Sequence, residues 1–223
     1  MRVLVIGLGA FGVWYSKTMR ELGHEVIAID QDETLVDRHV DTVSRGVVGD
    51  ATDRALLERI IGSHLDAAVI AAGEDLAATI LAFMALRELG VEQIYAKAHS
   101  VEAARALEQL GVTEAVFPEL ESGARLAHRM LSKSILEYTA IGEGVSIQEI
   151  SVPKSWEGRS ILQIEPREAH GLQIVAVRDS LTGELALPPD PAQVLTPSHS
   201  LLIAGQDEKL ERITSAEDSK EKG

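Results

Sequence analysis

Three glycines and one acid carry the clearest chemistry in this chain. Gly7, Gly9 and Gly12 are spaced G-x-G-x-x-G between an apolar run over residues 2–6 and an amphipathic stretch, and Asp30 closes a second apolar run over residues 25–29. A pyrophosphate asks for each of these residue types. Gly7 permits a tight turn off a strand, Gly9 lets backbone approach the phosphates, and Gly12 lets a helix pack close to a sheet. The helix that follows, opening through Ala10 and Phe11, aims its unpaired N–H groups at the phosphates. Asp30 is placed to accept hydrogen bonds from the two hydroxyls of an adenosine ribose, and Gln31 offers no positive charge for a 2′-phosphate. NAD-type or adenine nucleotides are favoured over NADP.

The motif has meaning only if strands and helices place it. Apolar runs predict parallel strands over residues 2–6, 25–29, 42–48, 66–72, 93–97 and 114–117, with helices after residue 12 and over residues 53–61, 76–89 and 101–110. This alternation predicts a Rossmann-like, doubly wound α/β sheet covered on both faces. Ligands on such a sheet sit at the carboxyl ends of the strands. Those ends carry Asp50, Ala51, Thr52, Ala72, Gly73, Glu74 and Lys97 in addition to the glycine loop and Asp30. Thr52 is expected to cap a helix and Asp50 to line the site. Lys97 either neutralises polyphosphate or is a solvated strand-end lysine. The helix over residues 76–89 is apolar nearly all round, so Ala77, Ile80, Leu81, Phe83 and Met84 are candidates for a subunit contact or for their own core.

Residues 119–137 read as one longer crossover helix, with Leu120, Ala124, Ala127, Leu131 and Ile135 at helical intervals, and residues 140–144 as a glycine hinge. A small α+β domain over residues 140–213 follows, with strands at 145–152, 172–177 and 200–204. Its core is thin, and pairing with a twin would stabilise it. Residues 214–223, rich in Ser, Glu, Asp and Lys, read as a disordered tail. The first domain, with its crossover helix, is placed at residues 1–137.

Composition narrows the function. The 223 residues carry a net charge of −14, which disfavours nucleic acid as a partner, and contain no cysteine, which removes disulfides and thiolate chemistry. No segment reaches the roughly 18 apolar residues needed to span a bilayer, and the N-terminal apolar run breaks at glycine as a strand does, not a signal peptide. A soluble, cytosolic protein is expected. No catalytic residue is assigned: the seven histidines are scattered, and Pro153 keeps Ser151 and Lys154 off a common helical face. The chain reads as a binding protein and not an enzyme. An NAD(H)-dependent oxidoreductase or an NADH-sensing regulator is the alternative.

The residues also carry a specific resemblance. The G-L-G-A-F-G of residues 7–12, Asp30, the V-G-D-A-T of residues 48–52, the I-A-A-G ending at Gly73, Lys97 with Ala98, and the F-P-E of residues 117–119 form one series. The G-R-S-I-L of residues 158–162, Arg167, Gly171, the I-V-A-V of residues 174–177, Pro188 and Gly205 form a second. Together they resemble the regulatory subunits of Trk/Ktr potassium-uptake systems, proteins of RCK type (regulators of potassium conductance), over residues 1 to about 213.

The resemblance implies a cytoplasmic, ligand-gated regulator, peripherally associated with the membrane through an integral-membrane potassium transporter subunit. Homodimers would assemble into an octameric ring whose shape responds to ATP or ADP. It implies that Gly7, Gly9 and Gly12 hold phosphates, Asp30 the ribose, Asp50 to Thr52 the adenine side and Lys97 the terminal phosphates. It also implies a divalent cation, magnesium or calcium, at Glu119, and cyclic di-AMP near Arg167, His170 and Ile174. Two positions depart from it. Ala10 stands where relatives usually carry an arginine that reaches the γ-phosphate, and a charge-assisted contact of that kind is worth about 1.5 to 3 kcal/mol. The T-P-S-H-S of residues 196–200 replaces a polar turn with aspartate.

Overall fold

The first strand shows why the sheet forms. In β1 (Arg2–Ile6), Val3 and Val5 point to one face and Leu4 and Ile6 to the other, and all four are buried. A strand apolar on both faces needs cover on both. In the computed structural model, which describes residues 1–62, 64–72, 75–131 and 134–218, helices provide that cover. α1 (Ala10–Glu21) lies after β1; then come β2 (Glu25–Asp30), α2 (Glu33–Arg38), β3 (Arg45–Val48), α3 (Arg54–Ile61), β4 (Ala67–Ile70), α4 (Leu76–Glu88), β5 (Gln93–Lys97), α5 (Val101–Leu110) and β6 (Glu114–Val116).

The strands align in the order β3-β2-β1-β4-β5-β6, all parallel. This is the doubly wound order, in which the winding reverses between β1 and β4 and opens a crevice there. Val3, Val5, Val26 and Val69 pack with Phe11 and Met19 of α1 on one face. Leu4, Ile27 and Ile70 pack with Leu57, Leu86 and Leu107 of α3, α4 and α5 on the other.

Four helices of this unit start on side-chain caps. Asp32, Asp53, Asp75 and Ser100 each accept from a backbone N–H of the first turn of α2, α3, α4 and α5. The expected cap at Thr52 is therefore Asp53, whose carboxylate reaches the amides of Ala55 and Leu56. The third strand begins at Arg45 and not at residue 42, because residues 40–42 form a 3-10 turn in which the Thr42 hydroxyl donates to the carbonyl of His39. In α4, Phe83 is buried in the unit's own core and Ile80 packs against it, whereas Leu81 and Met84 are exposed. Its apolar surface is thus divided between the core and an outer face.

The chain separates into two units, Met1–Glu119 and Leu120–Gly223, a boundary earlier than the expected residue 137. The elements that follow are α6 (Pro118–Leu131), β7 (Ile135–Gly142), β8 (Val145–Ser151), α7 (Ile161–Ile164), α8 (Pro166–His170), β9 (Gln173–Asp179), β10 (Leu185–Ala186), β11 (His199–Gln206) and α9 (Asp207–Asp218). They build an antiparallel sheet in the order β10-β9-β11-β8-β7. The expected helix over residues 119–137 ends at Leu131, and the expected glycine hinge is the hairpin between β7 and β8. Ile135 continues the helical spacing by coincidence. The run from Ile135 to Ile141 favours a strand by its β-branched and aromatic residues, and Gly144, with φ at 67°, supplies the turn.

The expected tail from residue 214 is also corrected, since α9 continues to Asp218 and Thr214 is buried; residues 219–223 lie outside the described residues. Among the described residues, no helix is long and apolar enough to cross a membrane.

The second unit's core gathers around Trp156, which is 2% exposed and packs with Ile150, Leu172, Leu201 and Leu210. Removing a buried aromatic of this size costs about 3–5 kcal/mol. Trp156→Ala is therefore expected to unfold this unit at a much lower denaturant concentration, followed by far-UV dichroism. An unchanged midpoint would place Trp156 outside the core.

Candidate functional site

A cleft of about 430 Å³ opens at the carboxyl ends of β1, β2, β3 and β4. It is lined by the glycine loop through Gly7 and Gly9, by Asp30 and Gln31 after β2, by residues 49–52 after β3, and by Ala72 and Asp75 after β4. Four separate loops converge because parallel strands all end on the same edge.

The glycine loop is held by geometry that leaves no room for side chains. Gly7 has φ at 99°, and a Cβ there would lie 2.9 Å from the backbone of Ala72. At Gly12 a Cβ would lie 1.9 Å from the carbonyl oxygen of Gly7. Above Gly9 there is open space, with nothing within 4 Å of an added Cβ. Gly9 is also the N-cap of α1 and provides no side-chain bond to the first-turn amides of that helix.

Asp30 joins the pieces. Its Oδ2 accepts from the Leu8 amide at 2.6 Å, and its Oδ1 accepts from the Asp32 amide at 2.9 Å. Each carboxylate oxygen has a further lone pair, as hydrogen bonds to two ribose hydroxyls require. Across the cleft, Asp50 Oδ1 accepts from both the amide and the hydroxyl of Thr52, each at 2.8 Å. Those two bonds, the amide first, hold the Asp50 carboxyl below the usual carboxylate range, and Gln31 adds to the effect.

The structure thus gathers Gly7, Gly9, Asp30, Gln31, Asp50, Ala51, Thr52 and Ala72 around one cleft. Gly73 and Glu74 lie outside the described residues. Gly12 acts from behind the loop, Phe11 packs into the apolar face under α1, and Ala10 is exposed at the first position of that helix. Lys97 is not part of the lining: its Nζ donates to Glu119 Oε1 at 2.6 Å. The hydrogen bond from Lys97 is the leading reason that the Glu119 carboxyl sits below its ordinary range. Among the described residues no group of three acidic or histidine side chains is arranged to hold a metal.

Sequence reasoning missed Asp75 and Leu35. Leu35 lies on α2, whose start was signalled by Asp32 ahead of Glu33 and Thr34. Asp75, the N-cap of α4, also lies on the cleft edge.

A second cavity, of about 650 Å³, lies in the second unit beside α7, α8 and the prolines near residue 188. Arg167 and Ile174 line it. His170 does not; its ring sits against Trp156 with centroids 5.3 Å apart.

A Rossmann sheet with an open glycine loop and an acid at the end of its second strand, followed by a small α+β unit, defines a nucleotide-binding protein of two-unit design. The chain belongs to the TrkA-N domain family, whose model matches residues 3–118. It is 32% identical over 209 residues to the Ktr system potassium uptake protein C of Bacillus subtilis, covering 94% of each chain. It is 29% identical over 206 residues to the Ktr system potassium uptake protein A of Vibrio alginolyticus, covering 92% of this chain and 93% of that one. Its fold is shared with the GsuK channel bound to NAD, at 18% identity and a TM-score of 0.64. That likeness covers 96% of this chain but only 39% of the channel's.

Two outcomes follow from this geometry. Gly12→Ala forces α1 off the loop and is expected to lower stability by about 1–3 kcal/mol or more, whereas Gly9→Ala, facing open space, leaves the melting temperature nearly unchanged; equal melting curves would contradict the packing described. Lys97→Met is expected to move the Glu119 carboxyl back up toward its ordinary range, read by carboxyl NMR titration. Because that carboxyl is held low in the folded protein, the pair's contribution is present above the ordinary glutamate range and is lost as pH falls through the lowered value.

Proposed function

We propose that this chain is the cytoplasmic, ligand-gated regulatory subunit of a potassium transporter, and that an adenine nucleotide in the first-unit cleft is the gating ligand. The observation that carries the reading is the glycine loop tied by Leu8 to Asp30, beside an α1 N-terminus with no side-chain cap. Likeness to potassium uptake proteins across both units supports the partner. In this reading the loop and the amides of α1 hold phosphate, Asp30 holds ribose, and residues 50–52 with Gln31 flank the base.

The cleft serves binding in this reading and not catalysis. Among the described residues its lining has no histidine, lysine, tyrosine or cysteine. Gating requires only that the ligand bind two conformations unequally, and a difference of about 1 to 3 kcal/mol per site is typical. A homodimer, and a ring of dimers beneath an integral-membrane subunit, would combine several such sites.

The same reading extends to two further ligands. A divalent cation at Glu119 would compete with Lys97 for the carboxylate. In the same reading cyclic di-AMP would occupy the second-unit cavity, with Arg167 and Ile174, which line it, as its contacts. An NADH-sensing regulator is the second reading, because Asp30 beside the uncharged Gln31 would accept the adenosine ribose of NADH as readily as that of ADP or ATP.

The test reconstitutes the chain with a Ktr-type membrane subunit in liposomes and measures potassium flux with and without ADP, ATP or NADH. Flux is expected to respond to nucleotide, and Asp30→Ala is expected to remove both the response and the nucleotide-dependent rise in melting temperature. Flux indifferent to every nucleotide, or an undiminished thermal shift in Asp30→Ala, would sink the assignment.

A further inference from the structure

The charge on the cleft wall bears on which nucleotide it accepts, given the reading of this cleft as a nucleotide site. Among the described residues the charged members of the lining are Asp30, Asp50 and Asp75, and no lysine or arginine joins them. Each carboxylate is oriented by neutral groups. Asp30 accepts from the amides of Leu8 and Asp32, Asp50 from Thr52, and Asp75 Oδ1 from the amides of Ala77 and Ala78 at 2.9 and 3.1 Å. Such bonds fix the carboxylates without cancelling their charge. The three are not arranged as a metal site, and Lys97 is held by Glu119.

The positive ends of α1, α3 and α4, which all begin on this edge, contribute about half a unit of charge each, less than the three carboxylates carry. A ligand that adds negative charge here is repelled, and the repulsion in a half-enclosed cleft exceeds its value in bulk water. Asp30 has a compensating use, because it accepts from ribose. Asp75 caps α4, a task that an uncharged asparagine performs equally well. Its charge complements the positive end of α4 but is not required for the cap, so it can be removed while the cap is kept.

We infer that this cleft selects its nucleotide by charge, with Asp75 as a specificity-determining residue: it takes an adenine nucleotide whose phosphates carry about two negative charges, a dinucleotide or a monophosphate, and discriminates against a triphosphate. Asp75 sets the discrimination and Asp30 sets the recognition of adenosine.

Titration calorimetry on the full chain, in EDTA, with AMP, NADH, ADP and ATP tests this. ATP is expected to bind about tenfold or more weakly than AMP and NADH, with ADP between them. Asp75→Asn and Asp75→Ser, which both keep a capping oxygen, are expected to raise the affinity for ATP relative to NADH by about fivefold. ATP binding as tightly as AMP and NADH, or an unchanged ratio in both folded variants, overturns the inference while leaving the nucleotide reading intact. Binding of none of the four overturns the nucleotide reading itself, and selection by charge with it.

Discussion

The Leu8 amide donating to the carboxylate of Asp30 is the bond on which the cleft depends. It joins the loop after β1 to the end of β2 at 2.6 Å, while the Gly7 amide donates to the Ile29 carbonyl one residue earlier at 2.8 Å. Together they fix the loop's path, and the path requires both glycines: the backbone must turn at Gly7 and α1 must touch it at Gly12. The same carboxylate that shapes the loop then faces the cleft. One side chain thus both holds the loop and forms part of the cleft wall, and replacing it alters both.

Much of this was legible in the sequence, for identifiable reasons. β5 and α5 fall on their expected residues because an apolar run and an amphipathic run are separated by Ser100 and stopped by Gly111. Asp30 and the glycines follow from a spacing that few other structures require. Three features were not legible. α2 is a six-residue helix, too short for apolar periodicity to reveal. The second face of Asp75 depends on where α4 lies beside β4, which is a tertiary fact. The pairing of Lys97 with Glu119 joins residues far apart in sequence, each of which had been given a separate role.

The second unit illustrates a different failure. Ile135 continues the helical spacing of the residues before it while the run from Ile135 to Ile141 has strand propensity, and pairing with β8 decides between them. Its last helix is likewise decided by tertiary contacts. Asp207 Oδ1 accepts from the buried Ser146 hydroxyl at 2.6 Å, and the Asp207 amide donates to the Gly144 carbonyl at 3.0 Å. Leu210 and Thr214 are then buried one and two turns on. A composition typical of disordered tails is here a helix fastened at its first residue.

The Lys97 and Glu119 pair has a physical consequence of its own. It ties the end of β5 to the first turn of α6 with side chains 24% and 59% exposed, so both groups meet the surrounding solution. Attraction between such groups is screened by dissolved ions, over a distance that shrinks to about 8 Å at physiological ionic strength and further as salt rises. In a member of a family whose relatives take up potassium, the grip on the start of α6 therefore loosens as the salt concentration around it climbs.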